Sequence, residues 1–120
     1  MEPLNVYPTG TVAFLFTDIE GSTVRWERDR PAMAAAVERH LSLLRRAVEA
    51  HGGVLFKVIG DAVQAAFPTA PDAVAAALAA QHALLEADWG ALAPLRVRMA
   101  IHVGAAQPHG GDYLAPALNR

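Results

Sequence analysis

The 120-residue chain has room for one domain, and its 53% apolar content is enough for a core, which excludes global disorder. A formal charge of −2 offers no basic surface to nucleic acid or an anionic membrane, and the lack of cysteine excludes disulfides, thiolate–zinc sites and thiol catalysis. No stretch is apolar and long enough for a signal sequence or a membrane span, so a cytoplasmic location is expected.

Residues 1–10, with Pro3 and Pro8, read as an irregular leader. The apolar run Val12-Ala13-Phe14-Leu15-Phe16 predicts a buried strand over 11–17. Asp18 then stands at the strand's C-terminal end, and Gly21-Ser22-Thr23 opens a turn into a short helix over 22–28. The backbone N–H groups of such a turn can face an anion. Met33, Val37, Leu41, Leu44 and Val48 share one face of a helix over 31–50, which His51-Gly52-Gly53 ends.

Two short strands, 54–59 and 62–67, flank Gly60-Asp61, a two-residue hairpin signal. Thr69-Ala70-Pro71-Asp72 resembles a capping box and starts a helix to about residue 87, with Val74, Leu78, Gln81 and Leu85 on one side. Residues 95–103 alternate: Leu95, Val97, Met99, Ile101 and Val103 against Arg96, Arg98, Ala100 and His102, a strand with one buried face. Residues 107–111 read as loop, and Tyr113 begins a further helix.

The order β-α-α-β-β-α-β is that of an α+β, ferredoxin-like βαββαβ sandwich with an extra short helix after its first strand. That topology makes the first strand central. Its end and the hairpin tip then meet at one edge of the sheet, with Asp18 and Asp61 side by side.

Two carboxylates at one site repel unless a cation or proton intervenes. Without cysteine, hard oxygen ligands suit Mg²⁺ or Mn²⁺, and two such ions can clamp a phosphoryl group. Equally, Asp18 caps the short helix and Asp61 is a turn residue. Lys57 interrupts an apolar strand, either facing solvent or aimed as a donor into a pocket. Asp112 on its own reads as a loop or cap residue. The five histidines have no metal-ligand spacing, Arg96 and Arg98 fall on the polar strand face, and Trp26 and Trp89 read as packing anchors.

Four segments in series resemble the class III adenylate/guanylate cyclase catalytic domain, in its bacterial form. They are Phe16-Thr17-Asp18-Ile19-Glu20-Gly21-Ser22-Thr23, Lys57-Val58-Ile59-Gly60-Asp61-Ala62-Val63, Arg98-Met99-Ala100-Ile101-His102-Val103-Gly104, and Gly111-Asp112-Tyr113-Leu114-Ala115-Pro116-Ala117-Leu118-Asn119-Arg120. The resemblance covers residues 10–120, with the domain itself expected over 11–120, and implies conversion of a nucleoside triphosphate to a 3′,5′-cyclic nucleotide and pyrophosphate. Asp18, Asp61 and the Ile19 carbonyl match the metal ligands, for two Mg²⁺ or Mn²⁺ ions. Glu20, Gly21, Ser22 and Thr23 match the phosphate-binding turn. Lys57 and Asp112 match the purine-selecting pair. Their chemistry favours ATP over GTP, because Asp112 accepts from an exocyclic amine and Lys57 donates to a ring nitrogen. Asn119 matches the catalytic asparagine that positions the ribose. The family's sites form in a head-to-tail homodimer, or with a partner cyclase chain.

The resemblance also implies a domain incomplete at its C-terminus, without the family's transition-state arginine four residues after Asn119. Arg120 is turned about 100° from Asn119 on a helix and does not replace it. Two expectations therefore stand side by side: an adenylate cyclase domain, and a catalytically incomplete remnant acting as a nucleotide-binding or regulatory and dimerisation module.

Overall fold

A computed structural model describes residues 7–115 and 118 of the chain. In chain order it contains β1 (Gly10–Ile19), α1 (Ser22–Arg28), α2 (Arg30–Ala50), β2 (Val54–Ile59), β3 (Ala62–Phe67), α3 (Ala70–Glu86), a 3₁₀ turn (Gly90–Leu92), β4 (Val97–His109) and β5 (Asp112–Leu114). The sheet runs β2-β3-β1-β4-β5 with every neighbour antiparallel, which is the ferredoxin-like order the element sequence implies. Central β1 is held on both sides, pairing with β3 from Ala13–Phe67 to Thr17–Val63 and with β4 from Gly10–Ala106 to Ile19–Val97.

Alternation along β1 splits its residues between two covered faces. Ala13 and Leu15 pack with Ala65, Phe67, Val48, Ala73 and Ala76 beneath α2 and α3. Val12 and Phe14 pack on the other face with Ala66, Ala106 and Tyr113. Phe14 and Phe67 are fully buried, each stabilising the fold by roughly 1.5–3 kcal/mol relative to exposure. Helices α2 and α3 start at side-chain caps. Asp29 accepts the Ala32 N–H at 3.1 Å for α2, and Thr69 accepts the Asp72 N–H at 3.2 Å for α3. The Thr69 hydroxyl in turn donates to the Asp72 carboxylate at 2.8 Å, a shortened capping box.

Three expectations are corrected. First, α3 buries Ala73, Ala76, Ala80 and Leu84, while Val74, Leu78 and Leu85 are exposed. Alanines let the helix axis approach the sheet closely, so the small-residue stripe faces inward and the larger one outward. Second, the last expected strand begins at Val97 and runs through the supposed loop to His109, and its alternation stops deciding burial at Ile101 and Val103, which are exposed. Third, Tyr113 lies in a strand, β5, rather than opening a helix. The Gly110-Gly111 turn, with both residues at positive φ, returns the chain antiparallel onto β4. No helix among the described residues is long and apolar enough to cross a membrane.

Candidate active site

The ends of β1 and β3 converge. Thr17 pairs with Val63, so Asp18 follows that pair on one strand and the Gly60-Asp61 turn precedes it on the other. Asp61 Oδ2 is buried and, among the described residues, accepts no hydrogen bond. An acceptor in that position calls for a cation or a proton donor. Asp18 on β1 stands directly opposite Arg98 on β4, whose Nε and Nη2 donate to Oδ1 and Oδ2 at 2.8 and 2.9 Å. This fork, reinforced by the charges of Asp18, Glu20 and Asp61, raises the guanidinium pKa above its ordinary value. Phe16, Asp18, Ala62, Arg98 and Ala100 line a shallow hollow of about 330 Å³ on this end of the sheet.

Arg98 is the residue that reading the alternation as a polar face leaves unassigned. The signal for it lies in the pairing: the antiparallel β1–β4 register sets it opposite Asp18.

The following turn is firmly placed. The Glu20 N–H donates to the Arg96 carbonyl at 2.8 Å, so this amide is already committed and is not offered to an anion. Gly21 caps α1 in a left-handed conformation, and no side chain caps the first-turn amides of Ser22 and Thr23. Arg25 reaches back from α1 to the carbonyls of Leu92, Pro94 and Glu20, tying the turn to the segment before β4.

Lys57 and Asp112 meet at 2.6 Å. A bulge between Leu55 and Lys57 interrupts the β2–β3 register, and Phe56 packs on the second face of the sheet, where its ring lies 4.9 Å from that of Tyr113. Tyr113 also packs edge-on to Phe14 at 5.2 Å, so β5 lies across this face and delivers Asp112 to Lys57. The Tyr113 hydroxyl donates to the Pro8 carbonyl at 2.7 Å, and burial pushes its pKa up to about 12. Asp112 accepts the Tyr113 N–H at 2.7 Å, and the Lys57 ammonium holds the Asp112 carboxyl below its ordinary pKa.

Asn119 lies outside the described residues. Among the described residues no cluster of three or more His, Cys, Asp or Glu side chains is placed to hold a metal ion. A cation at Asp18 and Asp61 would therefore rest on two carboxylates and backbone oxygen. That all-oxygen donor set suits Mg²⁺ or Mn²⁺.

Residues 4–107 match the family model of the adenylate and guanylate cyclase catalytic domain. The chain is 37% identical over 145 residues to an adenylate cyclase of Lachancea kluyveri, covering 100% of this chain and 8% of that protein. It is 37% identical over 115 residues to an uncharacterized protein of Mycobacterium tuberculosis, covering 94% of this chain and 38% of the other. Among solved structures it superposes on an adenylate cyclase of Trypanosoma brucei with a TM-score of 0.80 at 26% identity, covering 98% of this chain and 68% of that one. An adenylate/guanylate cyclase/hydrolase of Silicibacter pomeroyi gives 0.71 at 29% identity, covering 91% and 64%. The chain thus spans a small part of these whole relatives and about two thirds of the solved domains. By the family match and the shared fold, the chain belongs to the adenylate and guanylate cyclase catalytic domain family.

Proposed function

We propose that this domain converts ATP to 3′,5′-cyclic AMP and pyrophosphate, at sites shared between two chains arranged head to tail. The observation that carries this reading is the Lys57–Asp112 pair, a donor and an acceptor held together beside the aromatic cluster. Lys57 donates to a purine ring nitrogen and Asp112 accepts from the exocyclic amine, the pattern of adenine; guanine presents the reverse. Both come from one chain, so one subunit supplies the purine site whole.

Asp18, Asp61 and the Ile19 carbonyl would hold Mg²⁺ or Mn²⁺, and the unpartnered Asp61 oxygen supports that placement. Bound there, two such ions would acidify the ribose 3′-hydroxyl and neutralise the leaving pyrophosphate. The Gly21-Ser22-Thr23 turn offers its amides to the triphosphate. Asn119 orients the ribose of the nucleotide whose purine the same subunit binds.

The test is formation of cyclic AMP from Mn²⁺–ATP at micromolar protein, with Asp18→Ala as the control. Product in the wild type and none in the variant supports the enzyme. Nucleotide binding without product supports a nucleotide-binding or regulatory module instead. A clean monomer by sizing at every concentration, with activity retained, contradicts the shared site.

A further inference from the structure

Asp18 is not an idle carboxylate. Both of its oxygens are taken by Arg98 through a two-point fork at 2.8 and 2.9 Å, fixed by direct cross-strand pairing of β1 with β4. Asp61 and Glu20 add their negative charge at the same guanidinium. The arrangement solves a problem the sequence creates: carboxylates gathered at one end of a sheet repel one another. Yet the pair is open to water, with Arg98 and Asp18 side chains 64% and 44% exposed. Exposed ion pairs are weak, even when bidentate geometry improves them.

We propose that Arg98 is the built-in counter-cation of this site, holding Asp18 until a divalent cation displaces it, and that it thereby sets the site's cation affinity. The inference rests on the reading of Asp18 and Asp61 as cation ligands. Its content is a competition. A divalent ion takes the Asp18 oxygens only as the Arg98 fork lets go, so part of its binding free energy is spent on opening that pair. Arg98 is a positioning residue here, acting through Asp18.

The test is Mn²⁺ binding without nucleotide, read from the electron paramagnetic resonance signal of free Mn²⁺ at low ionic strength. Arg98→Gln is expected to bind Mn²⁺ about three- to tenfold tighter than the wild type. Arg98→Lys keeps the charge and loses the fork, and is expected to fall between the two. In the wild type, the Arg98 Nε–H nuclear magnetic resonance signal should shift as Mg²⁺ is added. Equal affinity in all three proteins overturns the proposal, as does weaker binding by Arg98→Gln. Arg98→Lys matching the wild type while Arg98→Gln tightens also overturns it, by reducing the effect to charge repulsion without a fork. Asp18→Asn separates the two levels of the argument. If the wild type binds Mn²⁺ and Asp18→Asn does not, the cation site stands whatever Arg98 does. If the wild type binds none, the cation reading falls and this inference with it.

Discussion

Lys57 Nζ and Asp112 Oδ2 stand 2.6 Å apart, although β2 and β5 occupy opposite ends of the sheet order. The contact exists because β5 crosses the second face with Tyr113 lodged between Phe14 and Phe56. Both side chains are more than a third exposed, so solvent screens the pair and it adds little to stability. Its consequence is in recognition. Asp112→Ala should leave the melting temperature within about 2 °C of the wild type. It should reduce the preference for ATP over GTP analogues by about tenfold or more, because a lost hydrogen-bond acceptor removes the penalty on the wrong base. Calorimetric titration with non-hydrolysable analogues checks this, and unchanged discrimination would take the pair out of purine recognition.

Asp61 carries the opposite balance between function and stability. Its buried oxygen, unpartnered among the described residues, carries charge with no donor to compensate it, which costs the apo protein free energy. Asp61→Asn should therefore raise the melting temperature in EDTA by several degrees, corresponding to about 1 kcal/mol. The same change should abolish the further stabilisation that Mn²⁺ gives the wild type. Thermal scans with and without Mn²⁺ read both effects. A variant still stabilised by Mn²⁺ would remove Asp61 from the cation site.

Much of this layout is legible in the sequence. The strands β2 and β3 fall on their expected limits, because Gly60-Asp61 punctuates two compact apolar runs. Asp18 at a strand end and Asp61 at a hairpin tip follow from the same local signals. What was hidden depended on long-range placement. Nothing in residues 110–114 reveals that β5 folds across the sheet, since its stability comes from the rings of Phe14 and Phe56 far away in the chain. The partner of Asp18 was hidden for a similar reason: Arg98 reads as one of several surface arginines until the β1–β4 register is known. Helix α2 shows how size misleads. Met33, Leu44 and Val48 are buried as expected, but Ala36, His40 and Ala47 complete the inner face, while Val37 and Leu41 sit at its margin.

Gly53 lies against Phe67, a fully buried ring at the end of β3. A Cβ at position 53 would overlap the ring carbons, and the ring is fully buried in the core under α2 and α3. Its N–H also donates to the Val48 carbonyl at 2.9 Å, fixing the chain as it leaves α2. Gly53→Ala should therefore lose about 1–3 kcal/mol, the usual cost of overpacking a core. Urea unfolding should show a lower midpoint with the slope unchanged. An unshifted midpoint would mean that β2 can move away from Phe67 at no cost.

His40 gives the fold a pH dependence of defined sign. Its side chain is buried on α2, with Nδ1 3.1 Å from the Val37 carbonyl and Nε2 unpartnered among the described residues. Because Val37 can only accept, Nδ1 carries the proton, and the neutral ring is the Nδ1–H tautomer. Burial lowers its pKa from the ordinary 6.5, and this outweighs the opposing pull of the Val37 carbonyl and the Asp61 charge. The unfolded chain therefore takes up the proton first as pH falls. The stability contributed by neutral His40 is fully present above pH 6.5 and is lost below it, until the folded pKa is reached. The slope in that window is at most about 1.4 kcal/mol per pH unit. Asp112 acts in a separate window: its lowered pKa confers stability that is lost only below the ordinary carboxyl value of 3.8. Urea unfolding at a series of pH values from 7.5 to 5 should thus show a decline that His40→Gln flattens, whatever that variant's stability at pH 7.5. If the variant keeps the wild-type slope, the titrating group is not His40.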